Sequence, residues 1–230
     1  MSQYRYSLAG IEVKYADHLA LKTDRLTIAE GELHLLMGAN GSGKTTLLSI
    51  LAFLNKPDCG EMAFAGSAVN WKTKELGRLR QKVTLLHQHP YLFSGTVFSN
   101  VAFGPRIRKM RKPEIGSLVS ELLGMVGLKG FESRNARQLS GGQASRVALA
   151  RCLACKPEVL LLDEPLAQTD RESAEILVRL IASLFRQGIT VVMSSHDELL
   201  TQELRCNIIR LAEGRILPSE ATSKAKSPHY

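Results

Sequence analysis

Hydrophobic positions along the chain follow two rhythms. Leu33–Met37 and Val83–Leu86 are compact apolar runs, and Val159–Leu162 is unbroken. Ile189–Met193 is a further run of the same kind. Short unbroken runs predict strands buried on both faces of a parallel sheet. Elsewhere the apolar residues recur at helical spacing. Leu47, Leu48, Leu51 and Leu54 form one such face, and Ile115, Leu118, Val119, Leu122, Leu123 and Val126 form a second, after a start signal at Pro113-Glu114. Ala174, Leu177, Val178, Ile181, Leu184 and Phe185 form a third, with Gly188 as its stop. Near the N-terminus, Leu19, Leu21, Leu26 and Ile28 alternate with polar residues and predict short strands before a Glu30-Gly31 turn. Pro57–Gly60 reads as a turn before a strand at Glu61–Phe64, and Asn207–Leu211 and Arg215–Leu217 flank a Glu213-Gly214 turn.

Strand signals vanish between about Pro90 and Leu139, so that stretch reads as a helical insertion. Strands alternating with helices predict an α/β core around a parallel sheet. Ligands in such sheets bind beyond the carboxyl ends of the strands. The residues that follow Met37, Leu86, Leu162 and Met193 are therefore expected to converge on one site. The segment from Pro218 to Tyr230 is rich in Ser, Lys and Pro and is expected to be a loose tail.

Composition narrows the class. The chain has 230 residues, 44% of them hydrophobic and 23% charged, enough for a sizeable core and unlike a disordered chain. Its formal net charge of +8 fits a phosphate-rich ligand, a nucleic acid or an acidic surface. The densest basic runs, Lys72–Lys82 and Arg106–Lys112, read as solvated helix faces. Aromatic residues are only 6%, too few for the stacking platform of a nucleic-acid-binding module. No apolar run reaches the ~20 residues of a membrane span, and MSQYRYSLAG lacks the apolar core of a secretory signal. The expected location is cytoplasmic, with any membrane role exerted through another polypeptide. Cys152 and Cys155 form a C-x-x-C without a second pair, inside an apolar helical stretch, and read as small buried hydrophobes. His87 and His89 flank Gln88 with no third ligand in view and read as loop polarity.

Three motifs carry chemistry. Gly38-Ala39-Asn40-Gly41-Ser42-Gly43-Lys44-Thr45 matches G-x-x-x-x-G-K-[ST] and stands between a strand and a helix. Its glycines let backbone N–H groups turn inward as a nest for phosphate oxygens, and the helix adds its positive end. Lys44 can reach the β and γ phosphates, and Thr45 can ligate Mg²⁺. Leu160-Leu161-Leu162-Asp163-Glu164 is a buried strand ending in two acids, which repel unless a cation is near. Asp163 can hold that metal through a water, and Glu164 can polarise an attacking water. Leu139-Ser140-Gly141-Gly142-Gln143 opens another helix and offers a second anion site. The chain thus carries two separate half-sites for phosphate.

Motif order and spacing from about residue 4 to 217 resemble the ATP-binding cassette (ABC) ATPases. The resemblance implies an α/β fold with a RecA-like P-loop NTPase core, an N-terminal antiparallel β subdomain and an inserted ABC-type helical subdomain. Residues 1–88 and 155–217 would form the core and β parts, 89–154 the helical part, and 218–230 the tail. Gly38–Thr45 with Thr46 is similar to Walker A, Val159–Glu164 to Walker B, and Ser140, Gly141, Gly142 and Gln143 to the family signature. Gln88 takes the place of the Q-loop glutamine, with contacts to Mg²⁺ and water. His196 takes that of the switch histidine at the γ-phosphate, and Tyr15 that of the aromatic stacked on adenine. Implied catalytic residues are Glu164, His196, Gln88 and Lys44, and implied metal contacts are Thr45, Gln88 and Asp163. The nucleotide contacts are Tyr15, Gly38, Asn40, Gly41, Ser42, Gly43, Lys44, Thr45, Thr46 and the signature.

The resemblance also implies ATP and Mg²⁺ as cofactors and a head-to-tail dimer, with each ATP held between one subunit's Walker A and the other's signature. Integral membrane permease subunits and, indirectly, a solute-binding protein are the further partners, and nucleic acid is not one. The segment His87–Val97 leading into Asn100–Gly104 is similar to the region that receives an importer's permease. With Ile50–Leu54 it is most similar to oxyanion importers, especially the tungstate type. A soluble ABC ATPase unlinked to transport is the alternative, though no sustained heptads separate Walker A from the signature. Ala167 and Thr169 depart from the family's Ser and Leu in the D-loop that ends at Asp170, and Ala39 replaces a common proline.

Overall fold

The computed structural model describes residues 3–167, 169–195, 204 and 206–217. The chain opens with a long hairpin, β1 (Tyr4–Tyr15) and β2 (His18–Ala29), antiparallel in register from Tyr4↔Ala29 to Tyr15↔His18. Each strand is 12 residues long, not the short strands that the alternation suggests. The buried positions change phase at Asp24–Arg25, opposite Ala9 and Gly10, where both strands are exposed and Gly10 stands at φ 61°, and this hides the continuity.

β3 (Leu33–Met37) leads through the glycine-rich loop into α1 (Lys44–Leu51). β4 (Cys59–Phe64) and β5 (Ser67–Ala68) extend the hairpin, and α2 (Thr73–Arg80) precedes β6 (Val83–Leu86). Helices α3 (Val97–Val101), α4 (Phe103–Ile107), α5 (Lys112–Met125) and α6 (Gly141–Leu153) then intervene before β7 (Val159–Leu162). α7 (Arg171–Arg186), β8 (Thr190–Ser194), β9 (Asn207–Ala212) and β10 (Arg215–Ile216) complete the described elements. Glu213 and Gly214, both at positive φ, make the tight turn between the last two strands.

The strands form one sheet in the order β5-β4-β1-β2-β10-β9-β3-β8-β7-β6. The half from β9 to β6 is parallel, and the half from β5 to β2 is antiparallel. The inner strands of the parallel half, β3, β7 and β8, are buried at every position, and successive side chains still serve different cores. Leu33, Leu35, Met37, Leu160, Leu162, Val191 and Met193 pack with the residues of α3, α5, α6 and α7. Leu36, Val159, Leu161 and Val192 pack instead with α1 and the hairpin strands. Tyr6, Phe53 and Phe64 close this second core edge to face, with Phe53 and Phe64 centroids 5.4 Å apart.

The two basic runs part company. Lys72–Lys82 holds α2, whose surface is largely exposed, although Arg80 donates to the Phe53 carbonyl from both Nε (3.0 Å) and Nη2 (2.6 Å). Arg106–Lys112 is not one helix face: α4 stops at Ile107, Lys109 takes the left-handed conformation (φ 59°), and α5 restarts at Lys112. Pro113 sits in the first turn of α5, where its missing N–H leaves no helical bond unmade. No helix among the described residues is long and apolar enough to cross a membrane. The expected tail, 218–230, lies outside the described residues.

Candidate active site

The glycine-rich loop is threaded between two other strands, which explains its composition. A Cβ on Gly43 (φ 104°) would lie 2.7 Å from the Ala20 carbonyl oxygen of β2. One on Gly38 would lie 2.3 Å from that of Leu211 in β9. Neither position has room for a side chain. The Ser42 N–H closes the turn on the Ala39 carbonyl at 3.1 Å. Lys44, in the first turn of α1, folds back over the loop, donating to the carbonyls of Gly38 (2.7 Å) and Ala39 (3.1 Å). Its Nζ lies 3.6 Å from Glu164 Oε1. The Ser42 hydroxyl is buried and finds no protein partner among the described residues. A buried hydroxyl, a lysine and a helix N-terminus around one bend suit an anion.

The tip of β7 faces this loop. Asp163 is buried, and hydroxyls hold both of its oxygens: Thr45 Oγ1 donates to Oδ2 at 2.8 Å, and Ser194 Oγ donates to Oδ1 at 2.7 Å. Ser194 in turn accepts the Glu164 N–H at 2.8 Å, so one serine at the end of β8 fixes both acids. Glu164 sits at φ 45°, a backbone conformation uncommon outside glycine and concentrated at working sites. Gln88 Nε2 donates to its Oε2 at 3.2 Å. Thr45 and Asp163 together present hard oxygen donors within one hydrogen bond of each other. That set fits Mg²⁺, which typically takes one or two protein ligands and completes its shell with phosphates and water.

These groups line a cleft of about 400 Å³ whose walls are Tyr15, His18, Ala20, Asn40, Gly41, Gly43, Lys44, Thr45, Thr46, Gln88 and Glu164. Tyr15 is 53% exposed at its mouth, and its hydroxyl accepts from Asn55 Nδ2 at 2.9 Å. The carboxyl ends of β3, β6, β7 and β8 thus deliver Lys44, Gln88, Asp163, Glu164 and Ser194 to one place. His18 and Ala20 are the additions that the sequence reading missed, while Ser194 stands directly after Met193, at the strand end expected to contribute, although its hold on both acids was not foreseen.

The signature residues stand elsewhere. Ser140 caps α6, accepting from the Gln143 N–H at 3.3 Å while Gln143 Oε1 accepts from the Ser140 N–H at 3.2 Å. None of Ser140–Gln143 lines the cleft. Gly142 instead lies against the start of α7, where an added Cβ would sit 3.3 Å from Asp170 Oδ2. Asp170 caps α7 by accepting from the Ser173 N–H and hydroxyl, both at 2.8 Å, and those bonds hold its carboxyl below the usual range. The D-loop hydroxyl of Thr169 is turned back onto the Leu166 carbonyl at 2.8 Å. His196 lies outside the described residues. Cys152 is buried and Cys155 half-buried, and burial raises both thiols, Cys152 to about 12. No group of three or more His, Cys, Asp or Glu that could hold a metal occurs among the described residues. His87 and His89 are exposed.

A glycine loop feeding a helix, a lysine folded back over it and a carboxylate pair at the tip of β7, a parallel strand one removed from β3, define a P-loop nucleotide hydrolase. The chain belongs to the ABC transporter family, whose model matches residues 21–167, and it is an ATPase of that family. It is 39% identical over 213 residues to an energy-coupling factor transporter ATP-binding protein of Methanothermobacter thermautotrophicus, covering 91% of this chain and 68% of that one. It is 41% identical over 225 residues to a sulfate/thiosulfate import ATP-binding protein of Xylella fastidiosa, covering 94% of this chain and 64% of the relative. A spermidine/putrescine import ATP-binding protein of Lawsonia intracellularis is 39% identical over 211 residues, covering 91% of this chain and 56% of its own length. Among solved structures, cbiO1 of Clostridium perfringens, part of the ABC transporter complex cbiONQ, superposes with TM-score 0.85 at 30% identity over 94% of this chain and 88% of its own. The dimeric cassette MJ0796, captured in a post-hydrolysis state with ADP and Pi, superposes with TM-score 0.84 at 33% identity, over 92% of this chain and 96% of its own.

Proposed function

We propose that this chain is the ATP-hydrolysing subunit of an importer, working as a dimer on the inner face of a membrane and docked on separate permease subunits. One observation carries the dimer: Lys44, Thr45, Asp163 and Glu164 meet in the cleft, while Ser140–Gln143 lie off it. A γ-phosphate held at Lys44 is enclosed on one side only. A second copy presenting its Ser140 helix start would supply the missing anion contacts. The dimeric MJ0796 structure supports a pairing of two cassettes.

Within the cleft, the loop amides and Lys44 bind and orient the phosphates, and Tyr15 stacks on the base. Thr45 and Asp163 would hold Mg²⁺, with Gln88 beside it. When bound, the metal neutralises charge building on the phosphate oxygens. Glu164 accepts a proton from the attacking water, and Gln88, bonded to it at 3.2 Å, orients it. His196 would contact the γ-phosphate. Most of the rate enhancement is positioning and charge neutralisation.

The docking surface is the exposed aromatic group beside Gln88. Tyr91 is 72% exposed, and the Phe93 and Phe103 rings pack at a tilt of 42° with centroids 4.6 Å apart. Arg151 crosses the Phe93 ring at 4.9 Å and donates to the Tyr91 carbonyl at 2.8 Å. A permease segment seated there would press on the loop that carries Gln88. The energy-coupling factor, sulfate and polyamine relatives support an import direction. An oxyanion cargo, tungstate among them, rests on residues 50–54 and 87–104, with support from the sulfate/thiosulfate relatives alone. A solute-binding protein would deliver the cargo to the permease.

The test is co-expression with candidate permease subunits, followed by purification in lipid. A stable complex whose ATPase rises with transported solute is the expected result. A chain that hydrolyses ATP but neither binds the permease nor responds to it would favour a soluble ABC ATPase unlinked to transport.

A further inference from the structure

The C-terminal end of α6 is held at two points by α4 and the residue that caps it. Gly104 lies so close that an added Cβ would stand 2.5 Å from Cys155 Sγ. One turn further on, Arg108 donates from Nη1 to the Cys155 carbonyl and from Nη2 to the Gln81 carbonyl, the latter at 2.6 Å. Cys155 follows the last turn of α6, and Gln81 caps α2. One guanidinium thus sits between the negative ends of two helices, where carbonyls lack a partner within their own helix. Gln81 is a fixed point of the core, since Arg80 beside it donates twice to the Phe53 carbonyl behind α1. Arg108 therefore pins the end of α6 to the core. Ser140 caps the other end of the same helix.

We propose that Arg108 is a positioning residue for the signature: by bridging Cys155 to Gln81, it fixes the angle at which α6 presents Ser140 to a second copy. The inference rests on the shared-site reading and adds the residue that sets its geometry in advance. From Ser140 to Cys155 the chain rises about 20 Å at ~1.5 Å per helical residue. A rotation of roughly 10° about the Cys155 end then carries Ser140 about 3 Å, as long as the hydrogen bond it would make to a phosphate. Without the bridge, fewer copies hold the angle that pairing needs, and apparent pairing weakens by the fraction lost. Arg108, Gln81 and Cys155 all lie off the cleft, so nucleotide binding to a single copy does not depend on them.

The experiment compares two constants in the full chain carrying Glu164→Gln, which slows turnover. Sedimentation in Mg-ATP gives the strength of pairing. Calorimetry with Mg-ADP, which lacks the phosphate that a second copy would grip, gives the affinity of a single copy. Arg108→Gln is expected to weaken pairing about three- to tenfold and to leave ADP affinity unchanged. Arg108→Lys, which reaches one carbonyl at a time, is expected to pair more weakly than its parent as well, and it carries the test alone if the glutamine variant does not fold. Pairing equal to the parent in either variant overturns the inference. So does a matching loss of ADP affinity, the mark of a merely structural effect. A parent chain that does not pair in Mg-ATP removes the shared-site reading itself and this inference with it.

Discussion

Thr45 Oγ1 donates to Asp163 Oδ2 at 2.8 Å across 118 residues of sequence, joining the first turn of α1 to the tip of β7. The two groups are the hard-oxygen pair of the site, so the metal dependence of binding should reside there. Asp163→Asn is expected to weaken ATP roughly tenfold in Mg²⁺, in the range for groups that hold a metal through water. In EDTA the two proteins should bind ATP alike. Titration under both conditions checks this, and a loss equal in both would assign Asp163 a purely structural role.

Glu164→Gln keeps the shape and the bond from Gln88 but removes the proton acceptor. Turnover should fall by roughly 10²–10⁴-fold, the usual contribution of a general base, while ATP still binds. Light scattering with ATP should then report a long-lived dimer. Phosphate release at the wild-type rate would take Glu164 out of its role.

Ser140 caps a helix start that lies off its own chain's cleft. Ser140→Arg places bulk and charge where a partner's phosphate would sit. Each monomer should bind ATP with unchanged affinity, and ATP-driven dimerisation and turnover should both disappear. A variant that still pairs in ATP would defeat the shared-site arrangement.

Gly43 adopts φ 104° with the Ala20 carbonyl 2.7 Å from where a Cβ would stand. Gly43→Ala must accept a left-handed backbone, costing roughly 1–3 kcal/mol, and must also push β2 aside. Denaturant unfolding should show a lower midpoint, and nucleotide affinity should fall with it. Gly116, on the α5 surface with nothing within 4 Å of an added Cβ, serves as the tolerant control.

Burial pushes the Cys152 thiol to about 12, whereas Cys59 is exposed. With a thiol reagent at pH 8, Cys59 should react promptly and Cys152 only after unfolding. The linkage has a definite sign. An unfolded thiol ionises near pH 8.5 and the folded one does not, so the unfolded state holds fewer protons above that pH. Stability should be full below about pH 8.5 and decline as pH rises toward 12. Cys152→Ala should flatten that decline.

Much of this was legible because the chemistry is local in sequence. Phosphate cradling needs glycines, a lysine and a hydroxyl within one turn, so residues 38–45 announce themselves. Val159–Leu162 is legible because it is covered on both faces and apolar at every position, and Thr190–Ser194 is read through its apolar centre Val191–Met193, with Thr190 and Ser194 buried at its two ends. The hairpin was harder. Its alternation changes phase at Ala9–Gly10 and Asp24–Arg25, so 12-residue strands read as fragments. The run Arg106–Lys112 reads as a helix face by charge alone, but a left-handed Lys109 ends one helix before the next begins.

The sequence alone determined the class of chemistry, since a phosphate loop, an acid pair and a capped signature helix each rest on neighbouring residues. Only the tertiary structure decided which distant groups meet. Ser194 holds both acids, His18 lines the cleft beside Tyr15, and Ser140–Gln143 stand apart from the phosphate loop. Those relations depend on strand order and register, which are set by how two cores pack on opposite faces of one sheet. No window of sequence contains that packing.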